Sequence, residues 1–225
     1  MTEIHTWMQM LVTALKKQFQ DRLLFVGLQG SYQRGEATEQ SDIDAVVILD
    51  GLTEADLSAY RAVLSAMPEH EKACGFVSSR KALLHWPKYE IFQLEQDTEA
   101  WYGTLAPLLP AVTEADIRES VRISAAGLYH AVCHSYLYDP PAQAAAQLKA
   151  ACKSCFFILR LCVYLRKGVY APTKAALLDE LHGDERELLA AGMSWDGPNE
   201  LHTRAQGGYT ALLLGWLERI LADMA

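Results

Sequence analysis

Apolar residues recur at helical spacing over the first twenty positions of the chain. Ile4, Trp7, Leu11 and Leu15 lie three or four positions apart, which predicts an amphipathic helix over residues 3–20. The pattern then changes to short apolar runs separated by polar segments. A chain that opens with a helix and continues with such runs is typical of a small sheet covered by helices.

Four of these runs predict strands. The predicted strands are LLFVGL at 23–28, DIDAVVIL at 42–49, CGFVSS at 74–79 and, after Pro87, YEIFQL at 89–94. Between the second and third strands, Thr53 followed by Asp56 resembles a capping box, which predicts a helix that extends to about Met67.

The second half of the chain has a different pattern. Pro107 and Pro110 separate the two halves, and beyond them the apolar residues recur almost entirely at helical spacing. We therefore predict an α+β fold with two domains: residues 1–110 form a small mixed sheet flanked by helices, and residues 111–225 form an antiparallel helical bundle. The predicted helices of the bundle cover 113–138, 141–167, 173–191 and 203–223.

Composition and charge argue against two kinds of partner, nucleic acids and membranes. The chain has 225 residues, and its 28 acidic residues outnumber its 20 basic ones, which gives a net charge of −8. Binding to nucleic acid depends on many lysine and arginine contacts to phosphates, so we expect no nucleic-acid partner. The N-terminus has no signal-peptide pattern and no long uncharged apolar run is present, so we expect no membrane association and a cytoplasmic protein.

The five cysteines do not form a secreted disulfide pattern. Cys152 and Cys155 have the Cys-x-x-Cys spacing of some zinc and redox sites, but they lie in an apolar helical segment with no second pair nearby. We expect buried structural thiols there, because free cysteine is usually buried.

Two carboxylates open the second predicted strand. Asp42 and Asp44 are two positions apart, so their side chains point to the same face of a strand. Two like charges at such a short distance repel each other unless a cation compensates them. Mg²⁺ is a suitable cation because it prefers oxygen ligands such as carboxylates. The alternative is a strand end with two solvated aspartates.

The residue pair Gly30-Ser31 follows the first predicted strand. Glycine lets backbone N–H groups approach a phosphate, and a serine hydroxyl adds another donor. An ordinary turn would explain the same two residues. The combination of strand, Gly-Ser, Asp-x-Asp and a second apolar strand is more specific than either part alone.

The stretch GSYQRGEATEQSDIDAVVIL resembles the signature of the DNA polymerase β-like nucleotidyltransferase superfamily. The resemblance implies that Gly30 and Ser31 hold the terminal phosphates of ATP, the substrate. It also implies that Asp42 and Asp44 hold Mg²⁺, with two ions expected, while an acceptor hydroxyl attacks the α-phosphorus. Two interpretations of Arg34 stay open: a positive charge near the phosphates, or a solvated loop arginine.

Members of this superfamily usually carry a third carboxylate on a neighbouring strand. The candidates are Glu90, Glu95 and Asp97. The segment WPKYEIFQL is similar to a segment of the streptomycin/spectinomycin adenylyltransferases that carries their catalytic glutamate. We therefore predict Glu90 for this role, either as a metal ligand or as the base that accepts the hydroxyl proton.

The helical half resembles the C-terminal domain of the same adenylyltransferases in the stretch KSCFFILRLCVYLRKGVYAPTKAALLDEL. In that family a lysine after the turn contacts the nucleotide phosphates, and Lys174 occupies the matching position. Thr173 replaces the usual serine. A lysine in the first turn of a helix, capped by Thr173, is the alternative.

The resemblance leads to a functional hypothesis. We expect AMP transfer from ATP to a hydroxyl of a small molecule such as an aminoglycoside, with release of pyrophosphate. One alternative is AMPylation of a partner protein, as in toxin–antitoxin pairs. The other is a nucleotide-binding module without catalysis. The sequence contains no recognisable code for the acceptor.

Overall fold

The computed structural model describes residues 3–194 and 208–225, and the chain forms two compact units, Met1–Val112 and Thr113–Ala225. Each unit is described by itself. Within these described ranges, no helix combines the length and the apolar composition that crossing a bilayer requires.

The first unit alternates helices and strands. Its helices are α1 (Ile4–Phe19), α2 (Gly30–Gln33), α3 (Glu54–Ser65), α4 (Arg80–Leu84) and α5 (Lys88–Gln96), and its strands are β1 (Leu23–Gln29), β2 (Ile43–Leu49), β3 (Ala73–Ser79) and β4 (Glu99–Tyr102). The predicted α+β fold, a mixed sheet flanked by helices with a helical C-terminal part, is confirmed.

The four strands form one sheet in the order β3-β2-β1-β4. Strand β1 is antiparallel to both β2 and β4, whereas β2 and β3 are parallel. Asp44 is therefore flanked by Gln29 on β1 and by Cys74 on β3. Side chains opposite each other in neighbouring strands share a face of the sheet, so these three residues lie side by side.

Each face of the sheet has its own core. Ala45 and Val47 belong to the core on one face, which also contains the buried side of α1, whereas Val46 and Ile48 belong to the core on the other face with Ile91 of α5. Side chains alternate along a strand, so Asp44 continues the row of Val46 and Ile48. The carboxylate therefore lies on the face that α5 covers.

The prediction of a strand at 89–94 is wrong. Residues 88–96 form helix α5, which begins after Pro87 and buries Ile91 and Phe92, and the fourth strand is Glu99–Tyr102 instead. Six alternating residues are too few to separate the two periodicities, and lysine, glutamate, glutamine and leucine favour a helix.

In its described part, the second unit consists of helices joined by short loops, without a strand. Its helices are α6 (Glu114–Tyr138), α7 (Pro141–Lys167), α8 (Lys174–Glu180), α9 (Gly183–Ser194) and α10 (Gly208–Asp223). Helix α7 is central, and α9 approaches it closely: a β-carbon on Gly192 would lie 2.6 Å from the carbonyl oxygen of Cys152. Glycine is required there because any side chain would separate the two helices.

The first two predicted helices of this unit, 113–138 and 141–167, agree with α6 and α7. The single helix predicted over 173–191 is wrong, because the chain breaks between α8 and α9. Leu181 is extended and Gly183 has a left-handed backbone, with φ of +55°. Of the helix predicted at 203–223, residues 203–207 lie outside the described residues.

The three cysteines of α7 are buried, which confirms the prediction made for Cys152 and Cys155. Burial raises the pKa of Cys152 and Cys162 to about 12, and it raises the pKa of Cys155 as well. Among the described residues, no group of three or more His, Cys, Asp or Glu side chains is arranged to hold a metal ion. These thiols are therefore packing residues.

Candidate active site

Asp42 and Asp44 lie close together at the start of β2. Asp42 directly precedes the strand and is exposed, whereas Asp44 is half-buried. Burial raises the pKa of Asp44, and the negative charge of Asp42 raises it further. The positive charge of Arg34 and a hydrogen bond with the Cys74 side chain act in the opposite direction. The charge of Asp42 thus acts on the half-buried Asp44 carboxylate, as expected for two side chains that lie close together.

Gly30 lies directly against this pair. Its backbone is left-handed, with φ of +73°, and a β-carbon at this position would lie 2.0 Å from Oδ2 of Asp44. Only glycine satisfies both conditions, because other residues rarely adopt this φ and their side chains would collide with the carboxylate. The Gly-Ser segment and the aspartate pair, eleven to fourteen positions apart in sequence, therefore form one local structure.

The segment that follows Gly30 folds back on itself. The backbone N–H of Glu36 donates to the carbonyl oxygen of Ser31 at 2.8 Å, and the N–H of Arg34 donates to that of Gly30 at 3.2 Å. Gly35 supplies a second left-handed position, with φ of +69°. These hydrogen bonds fix the backbone on which Ser31 and Arg34 stand.

Arg34 is not a solvated loop residue. Its side chain is only 10% exposed, and its Nε donates to Oε2 of Glu36 at 3.0 Å. Its charge lowers the pKa of Asp44, which places a cation near the carboxylate pair. The low exposure is inconsistent with a solvated loop arginine, and a role of Arg34 near the phosphates remains a prediction.

Glu90 has a different position from the one predicted. It lies in the first turn of α5 and is exposed, and its Oε2 accepts a hydrogen bond from Nε1 of Trp86 at 2.6 Å. Within the described part of the chain, it forms no three-ligand cluster with Asp42 and Asp44. The assumption that a strand presents Glu90 to the site is wrong, and its role remains a prediction.

The other end of α5 lies beside the site. Nε2 of Gln29, the residue opposite Asp44, donates to Oγ1 of Thr98 at 2.8 Å and to the carbonyl oxygen of Leu94 at 3.5 Å. Asp97 lies between Leu94 and Thr98 in the sequence and caps the C-terminus of α5. Seven helical positions correspond to about 10 Å, so Asp97 lies closer to Gln29 than Glu90 does.

Lys174 lies in a cationic and aromatic part of the second unit. It begins α8, which Thr173 caps by accepting the backbone N–H of Ala176 at 3.1 Å. Its Nζ is 5.6 Å from the ring centre of Phe156. Arg160, which is fully buried, places its guanidinium 4.6 Å from the same ring and 4.3 Å from that of Tyr170. The assignment of Lys174 to phosphate binding remains a prediction.

Sequence reasoning missed Gln29 and Cys74. Neither belongs to a motif, and each lies beside Asp44 only because of strand pairing. The sequence contained one signal for them: Gln29 directly follows the first predicted strand, and Cys74 begins the third. Choosing the register from that signal requires the sheet order, which local patterns do not contain.

The fold and the site define a class of protein. A mixed sheet carries a glycine-serine segment packed on an aspartate pair, and residues 8–99 match the family model described as a nucleotidyltransferase domain. The first unit therefore contains a nucleotidyltransferase domain over residues 8–99, and the chain is an enzyme that transfers nucleotides. The predicted family and enzyme class are confirmed.

The fold of the whole chain resembles that of a solved structure. Spectinomycin adenyltransferase AAD(9) from Enterococcus faecialis, crystallised with ATP and spectinomycin, matches with a TM-score of 0.60 and 16% sequence identity. The match covers 97% of this chain and 99% of that one, so the likeness in fold includes the helical half. No curated protein matches the sequence significantly.

Proposed function

We propose that this protein transfers AMP from ATP to a hydroxyl group of a small molecule in a Mg²⁺-dependent reaction that releases pyrophosphate. The contact of Gly30 with Asp44 carries the proposal, because it joins the phosphate-binding segment to the carboxylate pair. The likeness in fold to spectinomycin adenyltransferase, which was crystallised with ATP and spectinomycin, favours ATP as the donor and an aminoglycoside-like acceptor. We still expect the protein to be located in the cytoplasm.

The residues of the site fit Mg²⁺. The aspartate pair supplies two carboxylates, and Mg²⁺ is usually held by one or two carboxylates together with waters and substrate phosphates. Asp42 and Asp44 would hold the metal, for which we propose two ions. A magnesium ion held there would neutralise the charge of the triphosphate and of the leaving pyrophosphate.

The other residues of the first unit bind and orient the triphosphate. The backbone of Gly30 and the hydroxyl of Ser31 donate to its terminal phosphates, and Arg34 adds positive charge beside them. This arrangement aligns the α-phosphorus with the acceptor oxygen. A bond forms between these two atoms, the bond to the bridging oxygen of pyrophosphate breaks, and a base takes the hydroxyl proton.

ATP binding is tested by thermal unfolding. We expect Mg²⁺ and ATP together to raise the melting temperature saturably, because a ligand that binds only the folded state stabilises it. Asp44→Asn should abolish the shift, whereas Asp50→Asn, at the exposed far end of β2, should keep it. A wild-type protein without a shift would contradict the proposal.

The acceptor is identified by the fate of labelled AMP. ATP labelled at the α-phosphate is incubated with the protein and aminoglycosides, lincosamides or cell extract, and the products are separated by size. A labelled small molecule supports the proposal. A labelled protein supports the AMPylation alternative, and nucleotide binding without labelled product in any sample supports a non-catalytic module.

The base is tested by paired substitutions on α5. The sequence favours Glu90, whereas the hydrogen bonds of Gln29 favour Asp97. The residue that accepts the proton should lose about 100-fold or more in kcat when its carboxylate becomes an amide, because general bases contribute this much. We expect Asp97→Asn to show this loss and Glu90→Gln to keep most of the activity. The opposite result would restore Glu90 as the base.

A further inference from the structure

The two strands beside β2 supply no carboxylate at the level of Asp44. Its neighbour on β1 is Gln29, whose Nε2 is engaged with Thr98 and Leu94, and its neighbour on β3 is Cys74. Strand β3 reads ACGFVSS and contains no acidic residue. A strand next to the aspartate pair therefore offers a thiol, whereas the resemblance implied a carboxylate on a neighbouring strand, for which the sequence predicted Glu90.

Cys74 lies beside Asp44. The two residues are partners in the parallel pairing of β2 with β3, and a thiol at this position can donate a hydrogen bond to the carboxylate, which lowers the pKa of Asp44. The contact offsets part of the effect of burial on the pKa of Asp44. Unlike the three cysteines of α7, Cys74 is exposed, so burial in a core does not explain its position.

The backbone next to Cys74 is fixed. Gly75 has φ of +128°, and a β-carbon there would lie 2.0 Å from the carbonyl oxygen of Ala45. Strand β3 approaches β2 this closely only because residue 75 is glycine. The thiol is thus held at the carboxylate by a rigid strand pair, which is a requirement for precise positioning.

We propose that Cys74 is a positioning residue for Asp44, so that the protein supplies two carboxylates to the metal and takes Mg²⁺ together with the triphosphate rather than alone. The inference rests on the proposed function. Metal affinity rises with the number of charged ligands, and two carboxylates carry less charge than three. The phosphate oxygens of the nucleotide provide the ligands that a third carboxylate would provide.

The test measures metal binding without nucleotide. Mn²⁺ replaces Mg²⁺ as a spectroscopic probe, and paramagnetic resonance counts the free ion in titrations of the full-length protein. Cys74→Asp adds a carboxylate beside Asp44, and we expect it to bind Mn²⁺ about tenfold more tightly than the wild type. Gly51→Asp adds the same charge at an open position beyond the other end of β2 and should leave the affinity unchanged.

Two further variants test the hydrogen bond itself. Cys74→Ser keeps a donor and should behave as the wild type, whereas Cys74→Ala should raise the KM for Mg²⁺ about tenfold or more, with a smaller effect on kcat at saturating metal. Cys133→Ser, a cysteine of the second unit, is the matched control and should change neither quantity.

The outcomes separate this inference from the proposed function. An unchanged Mn²⁺ affinity in Cys74→Asp, or a Cys74→Ala variant equal to the wild type, would overturn the role of Cys74. Weaker nucleotide-free Mn²⁺ binding in Glu90→Gln or Asp97→Asn would overturn it too, because a third carboxylate would then be a ligand. The Mn²⁺ titrations need neither nucleotide nor turnover and decide this inference by themselves, whereas the ATP-induced melting shift tests the proposed function.

Discussion

At the level of single residues, Gly30 and Asp44 constrain each other. The aspartate carboxylate occupies the space that a side chain at position 30 would need, and the left-handed backbone of Gly30 directs the following segment over it. Two separate causes therefore exclude other residues at this position: backbone conformation and collision. They can be separated experimentally, because Gly35 has nearly the same φ and a β-carbon there would meet no atom within 4 Å.

We expect Gly30→Ala to lower the free energy of unfolding by about 1–2 kcal/mol from backbone strain and to abolish the ATP-dependent melting shift by displacing Asp44. Gly35→Ala should show a similar loss of stability and keep the shift. Denaturant unfolding and thermal shift measure the two quantities. If both variants bind ATP equally well, the collision with Asp44 has no functional consequence.

At the level of secondary-structure elements, a capping box and an ion pair begin α3. Asp56 accepts hydrogen bonds from the backbone N–H and the hydroxyl of Thr53, and Arg22 contacts it with both terminal nitrogens. The hydrogen bonds from Arg22, followed by those from Thr53, hold the pKa of Asp56 far below its ordinary value. The start of α3 is thereby tied to the segment that precedes β1.

This lowered pKa predicts an acid-sensitive stability. The unfolded chain binds a proton at the ordinary aspartate pKa of about 4, whereas the folded chain resists it, so the stabilisation is complete above that value. It is lost progressively as the pH falls towards the lowered pKa of the folded state. Asp56→Asn should lower stability at pH 7 and flatten this acid limb, as measured by denaturant unfolding at several pH values.

Arg22→Gln is the matched variant, because it removes the ion pair and keeps the capping box. It should lower the stability at pH 7 and shorten the acid limb from its low-pH end, since the folded-state pKa of Asp56 then rises towards its ordinary value. An Asp56→Asn protein with the same pH dependence as the wild type would show that Asp56 does not cause the acid sensitivity.

Elements whose signals are local were predictable from the sequence, and elements that depend on distant contacts were not. Helix α3 has its capping box and β2 its apolar run, so both were predicted. Helix α5 was predicted as a strand because alternation over six residues does not reveal that Ile91 packs on the sheet. The break at Gly183 was missed because a glycine inside a helical pattern does not disclose its φ.

At the level of the whole molecule, the same distinction applies to the candidate site. Gly30, Asp42 and Asp44 belong to one continuous motif, and the structure brings Gly30 and Asp44 into contact. Cys74 joins them only through the parallel pairing of β2 with β3, which the sequence does not specify. The net charge of −8 is a property of the complete chain, and the absence of a nucleic-acid partner remains a prediction from it.

The distribution of the cysteines allows small-molecule fragments to be captured covalently at one position. Disulfide exchange requires an accessible thiol, so the buried cysteines of α7 should not react, and Cys133→Ser would leave Cys74 as the accessible thiol among the five. A library of disulfide-bearing fragments would then be captured covalently beside Asp44. The fragments selected there would map the chemistry of the space around the carboxylates before any acceptor is known, and they would provide starting points for inhibitors.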